Sequence, residues 1–177
     1  SVSGLIALSA GVAGDLGQLV SDGKTNKVAR RIEQWQHIFP ERYYLELARI
    51  GAEHEERYID AMLNCAESSG APVVATNDVR YLGAEEFEAH EARVCIYQGR
   101  KLSDPRRPKQ YTSGQYFRSE EEMCELFSDV PEALENSVNI AIRCNFELEI
   151  GSYHLPEYPA SDSGSINELL RQKTVIG

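Results

Sequence analysis

Through the first hundred residues, short apolar runs closed by polar or turn residues alternate with stretches in which apolar positions recur every three or four residues. That alternation predicts parallel β/α units rather than a bundle or a sandwich. Strands are predicted at 5–8, 43–47 and 73–76. Between the first two, Val28, Ile32, Trp35 and Phe39 give a helix with one buried stripe, and a shorter helix is expected at 15–20. Between the second and third, Ile59, Met62, Leu63 and Ala66 repeat the pattern, and Gly70 followed by Pro72 ends it.

A further helix is predicted over 84–98, with Phe87, Val94 and the stem of Gln98 on one side and Gly99 beyond its end. Residues 100–118 hold Pro105, Pro108 and Gly114 without a sustained period, so a long loop or loose hairpin is expected, and such loops are usually contact surfaces. Ser119 with Glu122, and Asp129 with Pro131 and Glu132, are helix starts. Val130, Leu134, Val138 and Ala141 would form the inner face of the second of these helices. The alternation Glu147-Leu148-Glu149-Ile150 suggests one more strand. Pro156, Pro159 and the polar run 160–165 then form a linker, and 166–177 begin another helix. The chain thus divides at about residue 150, without internal repeats.

With 177 residues, 42% hydrophobic and 26% charged, the chain is long enough for one well-buried domain plus an appendage. A net charge of −10 repels phosphate, so strong nucleic-acid binding by this segment alone is not expected. The one basic concentration is Lys101, Arg106, Arg107, Lys109 and Arg118 against Asp104, expected to be a solvated loop. No apolar run reaches the ~20 residues of a membrane span, and the opening residues lack a basic leader region, so neither anchor nor signal peptide is expected. Cys65, Cys95, Cys124 and Cys144 lack zinc-finger spacing. Three of them fall on predicted buried faces, as reduced core thiols of a cytoplasmic protein would.

The run Pro72-Val73-Val74-Ala75-Thr76-Asn77-Asp78-Val79-Arg80-Tyr81-Leu82 carries the chemistry. If the strand stays extended, Asp78 and Arg80 point to one face at the end of the sheet. An acid there is a metal-ligand candidate, whereas an arginine has no acceptor and cannot ligate a cation. Glu46, near the end of the second strand, is expected to cap backbone or join a polar network. His90 and Glu91 are helical neighbours about 100° apart, which favours packing and hydrogen bonding over joint proton transfer. His37, His54 and His154 lack paired donors at metal spacing. No mononucleotide, dinucleotide or esterase loop motif occurs.

Thr76-Asn77-Asp78-Val79-Arg80 does not stand alone. With it go Leu8-Ser9-Ala10-Gly11, Tyr43-Tyr44-Leu45-Glu46-Leu47, Ala89-His90-Glu91, Leu102-Ser103-Asp104-Pro105, Tyr116-Phe117-Arg118-Ser119, Asp129-Val130-Pro131-Glu132-Ala133-Leu134-Glu135-Asn136 and Tyr153-His154-Leu155-Pro156. In this order, over about 4–159, the chain resembles the polymerase-and-histidinol-phosphatase (PHP) domain of bacterial replicative DNA polymerase III alpha subunits. The resemblance implies an α/β fold: residues 1–150 as the C-terminal part of a distorted (β/α) barrel with extra helices, and 151–177 as linker and start of the polymerase core. It implies three metal-ligand positions. Gly11 stands where the family has cysteine, Asp78 is retained, and Arg80 replaces histidine.

One ligand of three cannot hold a metal cluster, because tight sites need three or four protein donors. The resemblance therefore implies no bound catalytic metal, no catalytic residue and no cofactor in this segment, with Asp78 paired to the Arg80 guanidinium or another nearby base. It further implies a scaffold within a cytoplasmic DNA-directed DNA polymerase, a nucleotidyltransferase whose Mg-dependent site lies further along. Its partners would be other replicase subunits, including a separate proofreading exonuclease, and DNA reached through the parent polymerase. The rival is an active metal-dependent phosphoesterase or 3′–5′ exonuclease, against which Gly11 and Arg80 stand. A free-standing interaction module is a third possibility. An incomplete barrel leaves strand edges that invite association with another chain.

Overall fold

The computed structural model describes residues 3–148, 150–153 and 165–176. The chain forms two compact units, Ser1–Cys144 and Asn145–Gly177. In the first, three parallel strands lie in the order β1 (Ala7–Leu8), β2 (Tyr43–Ala48), β3 (Val73–Thr76), with Ala7 opposite Tyr43 and Leu45 opposite Val73. The crossovers carry α1 (Asp15–Ser21) and α2 (Val28–Ile38), then α3 (Glu55–Ser69). After β3 come α4 (Phe87–Tyr97), α5 (Glu120–Leu126) and α6 (Pro131–Arg143). The described part of the second unit holds α7 (Ile166–Ile176). This is a mixed α/β architecture with a small open parallel sheet; among the described residues the sheet does not close into a barrel.

β2 is central, with Tyr43, Leu45 and Leu47 buried on one face and Tyr44, Glu46 and Ala48 on the other. Leu45 and Leu47 meet Leu16 of α1, Ile32 of α2, Ile59 and Met62 of α3, and Phe127 beyond α5 in one core. Val28 and Ile32 are buried and Trp35 and Phe39 pack against this core, so the α2 stripe stands as read. Gly70, in the left-handed conformation that glycine tolerates, closes α3 with its N–H on the Ala66 carbonyl. Ser119 and Glu122 form a reciprocal capping box at α5.

The departures have physical causes. β1 is two residues long rather than four, and Leu5 is exposed. The inner face of α6 is Ala133, Leu134, Asn136 and Ser137, while Val138 and Ala141 face out. α6 packs along the free edge of β3, whose carbonyls need donors: Asn136 Nδ2 donates to the Val73 carbonyl (2.9 Å) and Ser137 Oγ to the Ala75 carbonyl (2.6 Å). A polar pair thus occupies a buried helix face. α4 likewise buries His90, Glu91 and Cys95, with Phe87, Val94 and Gln98 only half-buried.

Of the cysteines only Cys95 is buried; Cys65 is half-buried, and Cys124 and Cys144 are exposed, because α5 and α6 turn those faces away from the core. The alternating segment forms no strand at Phe146–Leu148 or Ile150, since none of these residues has a partner strand, and its apolar side chains are exposed. Glu149, His154 and most of the expected linker, with Pro156 and Pro159, lie outside the described residues. Among the described residues no helix is long and apolar enough to cross a membrane.

Candidate functional site

Ligand sites of parallel sheets form beyond the carboxyl ends of the strands, where the chain leaves the sheet in several directions at once. Here the exits of β1, β2 and β3 surround a cleft of about 720 Å³, whose walls include Gly11, Glu46, Glu55, Tyr58, Asp78, Arg80, Tyr111 and Gln115. The far wall comes from the long loop. Gly114 presses so closely on the Ile50 carbonyl that a Cβ would overlap it, and Thr112 Oγ1 donates to the same carbonyl.

Asp78 and Arg80 do meet, but not as neighbours on one face of a strand. β3 ends at Thr76, and Asp78 has φ of 24°, so the chain turns there. The turn brings Arg80 Nη2 to 2.7 Å from Asp78 Oδ1, with both side chains about half-exposed. The second carboxylate oxygen accepts from Gln115 Nε2 at 2.8 Å. Gln115 is buried and held in turn, its Oε1 accepting from the Thr112 N–H and its carbonyl from the Arg80 N–H. The Arg80 guanidinium lies over the Tyr111 ring, 5.5 Å from its centroid.

The other acids are equally engaged. Glu55, buried at the start of α3, accepts the backbone N–H groups of Ile50 (2.7 Å), Gly51 (3.2 Å) and Ala52 (3.2 Å) and so fixes the β2 exit. Glu46 accepts from Thr76 Oγ1 at 2.7 Å, which makes it part of a polar network as expected. Its N–H donates to Ser9 Oγ, which also shares a hydrogen bond with Tyr58 Oη. Burial pushes the Tyr58 hydroxyl up to about 12, so it stays protonated.

Gly11 follows Ala10, and both have positive φ, of 54° and 61°. The space beyond Gly11 is open, but a side chain there would be strained by the backbone. Among the described residues no three His, Cys, Asp or Glu side chains converge as a metal site. Each carboxylate lining the cleft, Glu46, Glu55 and Asp78, accepts hydrogen bonds from neighbouring groups.

His90 and Glu91 lie beneath the loop rather than in the cleft. Glu91 pairs with Arg107, and His90 sits against Tyr81 and edge-on to Tyr111, with Nδ1 3.2 Å from Arg93. The expectation of a solvated basic loop holds for Lys101, Arg106 and Lys109, which are exposed, and is corrected for Arg107 and Arg118. Arg107 is anchored on Glu91, and Arg118 reaches back to the Asn77 side chain and the Gly114 carbonyl and stacks on Tyr116. Buried acids and carbonyls on the neighbouring segments supply partners that a linear reading does not contain. His37 is exposed, as is His54, which is 3.4 Å from Glu53. Gln115 and Tyr58 were not singled out by sequence, and Ser9 entered only within the run Leu8-Ser9-Ala10-Gly11. Only Glu55 carried a usable signal, as an acid in a helix's first turn.

Fold and site define a parallel α/β unit whose strand-end cleft carries an acid neutralised by an arginine. No family model matches the chain. Along its whole length it is similar to DNA polymerase III alpha subunits: 47% identical over 177 residues to that of Pseudomonas aeruginosa, 48% over 169 residues to that of Escherichia coli K12, and 52% over 174 residues to that of Vibrio cholerae. These alignments cover 96–100% of this chain and 15% of each relative, so the chain spans about a seventh of the length of the curated relatives it matches.

Proposed function

We propose that this chain is a segment of the alpha subunit of a bacterial replicative DNA polymerase, and that it is a metal-free scaffold within that protein. Residues 1–150 are the later part of a PHP domain, and 151–177 lead into the polymerase core. The parent is a DNA-directed DNA polymerase acting in the cytoplasm, with its Mg-dependent nucleotidyl transfer carried by residues elsewhere. This segment supports the core and offers a docking surface to other replicase subunits, the proofreading exonuclease among them. The observation that carries the reading is the Asp78–Arg80 pair backed by Gln115. A guanidinium occupies the side of the carboxylate that a cation would need, and it cannot be displaced by deprotonation.

The test is elemental analysis of the full-length parent protein purified without chelator, beside an Asp78→Asn variant and an Arg80→His, Gly11→Cys double variant that restores all three ligand positions. The expected result is substoichiometric divalent metal in the parent, unchanged in Asp78→Asn and higher in the double variant. Stoichiometric metal in the parent that is lost in Asp78→Asn would overturn the scaffold reading. It would make the strand-end cleft a metal-dependent phosphoesterase or 3′–5′ exonuclease site.

A further inference from the structure

Two segments that leave the sheet region meet on the face away from the core. Tyr81 bridges Tyr116, and the Phe117 N–H donates to the carbonyls of Tyr81 (3.0 Å) and Leu82 (3.3 Å). Tyr81 points inward and is buried, while Leu82 and Phe117 stand outward, 74% and 69% exposed. Their mounting is rigid. Asn77 Nδ2 holds the Tyr116 carbonyl, the Leu82 N–H donates to Glu86, and Phe117 runs directly into the α5 capping box. Two large apolar side chains are thus presented to solvent on a backbone fixed at both ends, which lowers the ordering cost of binding.

The helix starts that flank them in the chain are acidic. Glu85 folds its carboxylate over Gly83, next to Leu82, and Glu88 follows in the first turn of α4. Beyond Phe117, Glu120 and Glu121 open α5. None of these four carboxylates has an ion-pair partner among the described residues. Arg118, next to Phe117 in the chain, is turned back to Asn77 and Tyr116.

We infer that the Leu82–Phe117 face is a docking surface for a segment of a second protein that carries apolar side chains flanked by lysine or arginine. Apolar anchors supply the contact, and the carboxylate rim supplies steering and selects a basic partner. The same rim repels phosphate, which excludes nucleic acid as the occupant. This places the docking role of the proposed scaffold at one surface, and so rests on that reading.

The test uses the full-length parent protein and three fluorescein-labelled octapeptides: one alternating lysine with leucine and phenylalanine, one with glutamate for each lysine, and one with serine for each apolar residue. Fluorescence anisotropy should give binding of the first peptide only. Leu82→Ser with Phe117→Ser, both exposed and both leaving the charge unchanged, should weaken it by about tenfold or more. Glu120→Lys with Glu121→Lys should weaken the first peptide and admit the acidic one. Equal binding by the parent and the serine double variant, no binding of the first peptide, or displacement of it by a single-stranded oligonucleotide would overturn the proposal. Its failure would leave metal content unchanged, whereas metal in the cleft would sink the scaffold reading without altering peptide binding.

Discussion

Arg49, at the end of β2, gathers more partners than any single position in its segment suggests. Its guanidinium bonds both Asp129 carboxylate oxygens (2.6 and 2.8 Å) and the Leu126 carbonyl, and lies over the buried Phe127 ring. Asp129 is thereby held below the usual carboxylate range by its hydrogen bonds to Arg49. A depressed folded value means the pair's contribution is complete above the ordinary aspartate value of about 4 and is lost as pH falls through the lowered one. Asp129→Asn should therefore reduce stability at pH 7 by under about 1 kcal/mol, since Asp129 is half-exposed, and the deficit should shrink at pH 3. Urea titrations of the two proteins at both pH values check this; an equal deficit at both would contradict it. Asp129 was legible as part of a helix start, yet Val130 takes the cap position and Asp129 serves Arg49 instead. The Asp78–Arg80 pairing was also legible, but by the wrong geometry: two-residue alternation predicted what a turn at Asp78 actually achieves.

At the scale of elements, hydrophobic periodicity located helices well and oriented them less well. It placed α2 and α3 with their buried stripes, because those helices cover the face of an apolar sheet. For α6 it held for Val130 and Leu134, which pack against the core, and failed for Val138 and Ala141, because that helix covers a strand edge, where unpaired carbonyls reward donors over methyl groups. Asn136→Ala or Ser137→Ala should each cost about 1–3 kcal/mol by leaving a buried carbonyl without its donor. Val138→Ser, on the face that periodicity marked as inner, should change stability by no more than about 0.5 kcal/mol. Denaturant midpoints of the three variants decide between the two orientations; a costly Val138→Ser with neutral polar substitutions would reverse the assignment. The same limit applied to α4, where His90 and Glu91 are buried by the loop folded over them.

In the first unit as a whole, one core joins β2 and α3 to the α5–α6 connection through Phe127. Phe127 lies outside every helix and strand yet is fully buried beneath Arg49. Phe127→Ala should cost about 3–5 kcal/mol through lost burial and the cavity left behind, read as a lower thermal midpoint. A loss below about 1 kcal/mol would mean the connection repacks freely. The sequence by itself determined the order of strands and helices, the parallel β/α character, the Asp78–Arg80 chemistry and the resemblance to alpha subunits, because periodicity, turn residues and motifs are local or ordered along the chain. Only the tertiary structure decided that Gln115, Tyr111 and Glu55 share a cleft with Asp78, that Arg107 and Arg118 of the long loop are held by Glu91 and Asn77, and that the segments carrying exposed Leu82 and Phe117 meet. Those juxtapositions join residues 16 to 41 positions apart, Arg107 with Glu91 at the near end and Arg118 with Asn77 at the far end. Contacts across such separations depend on which surfaces fold against one another, and no local pattern encodes them.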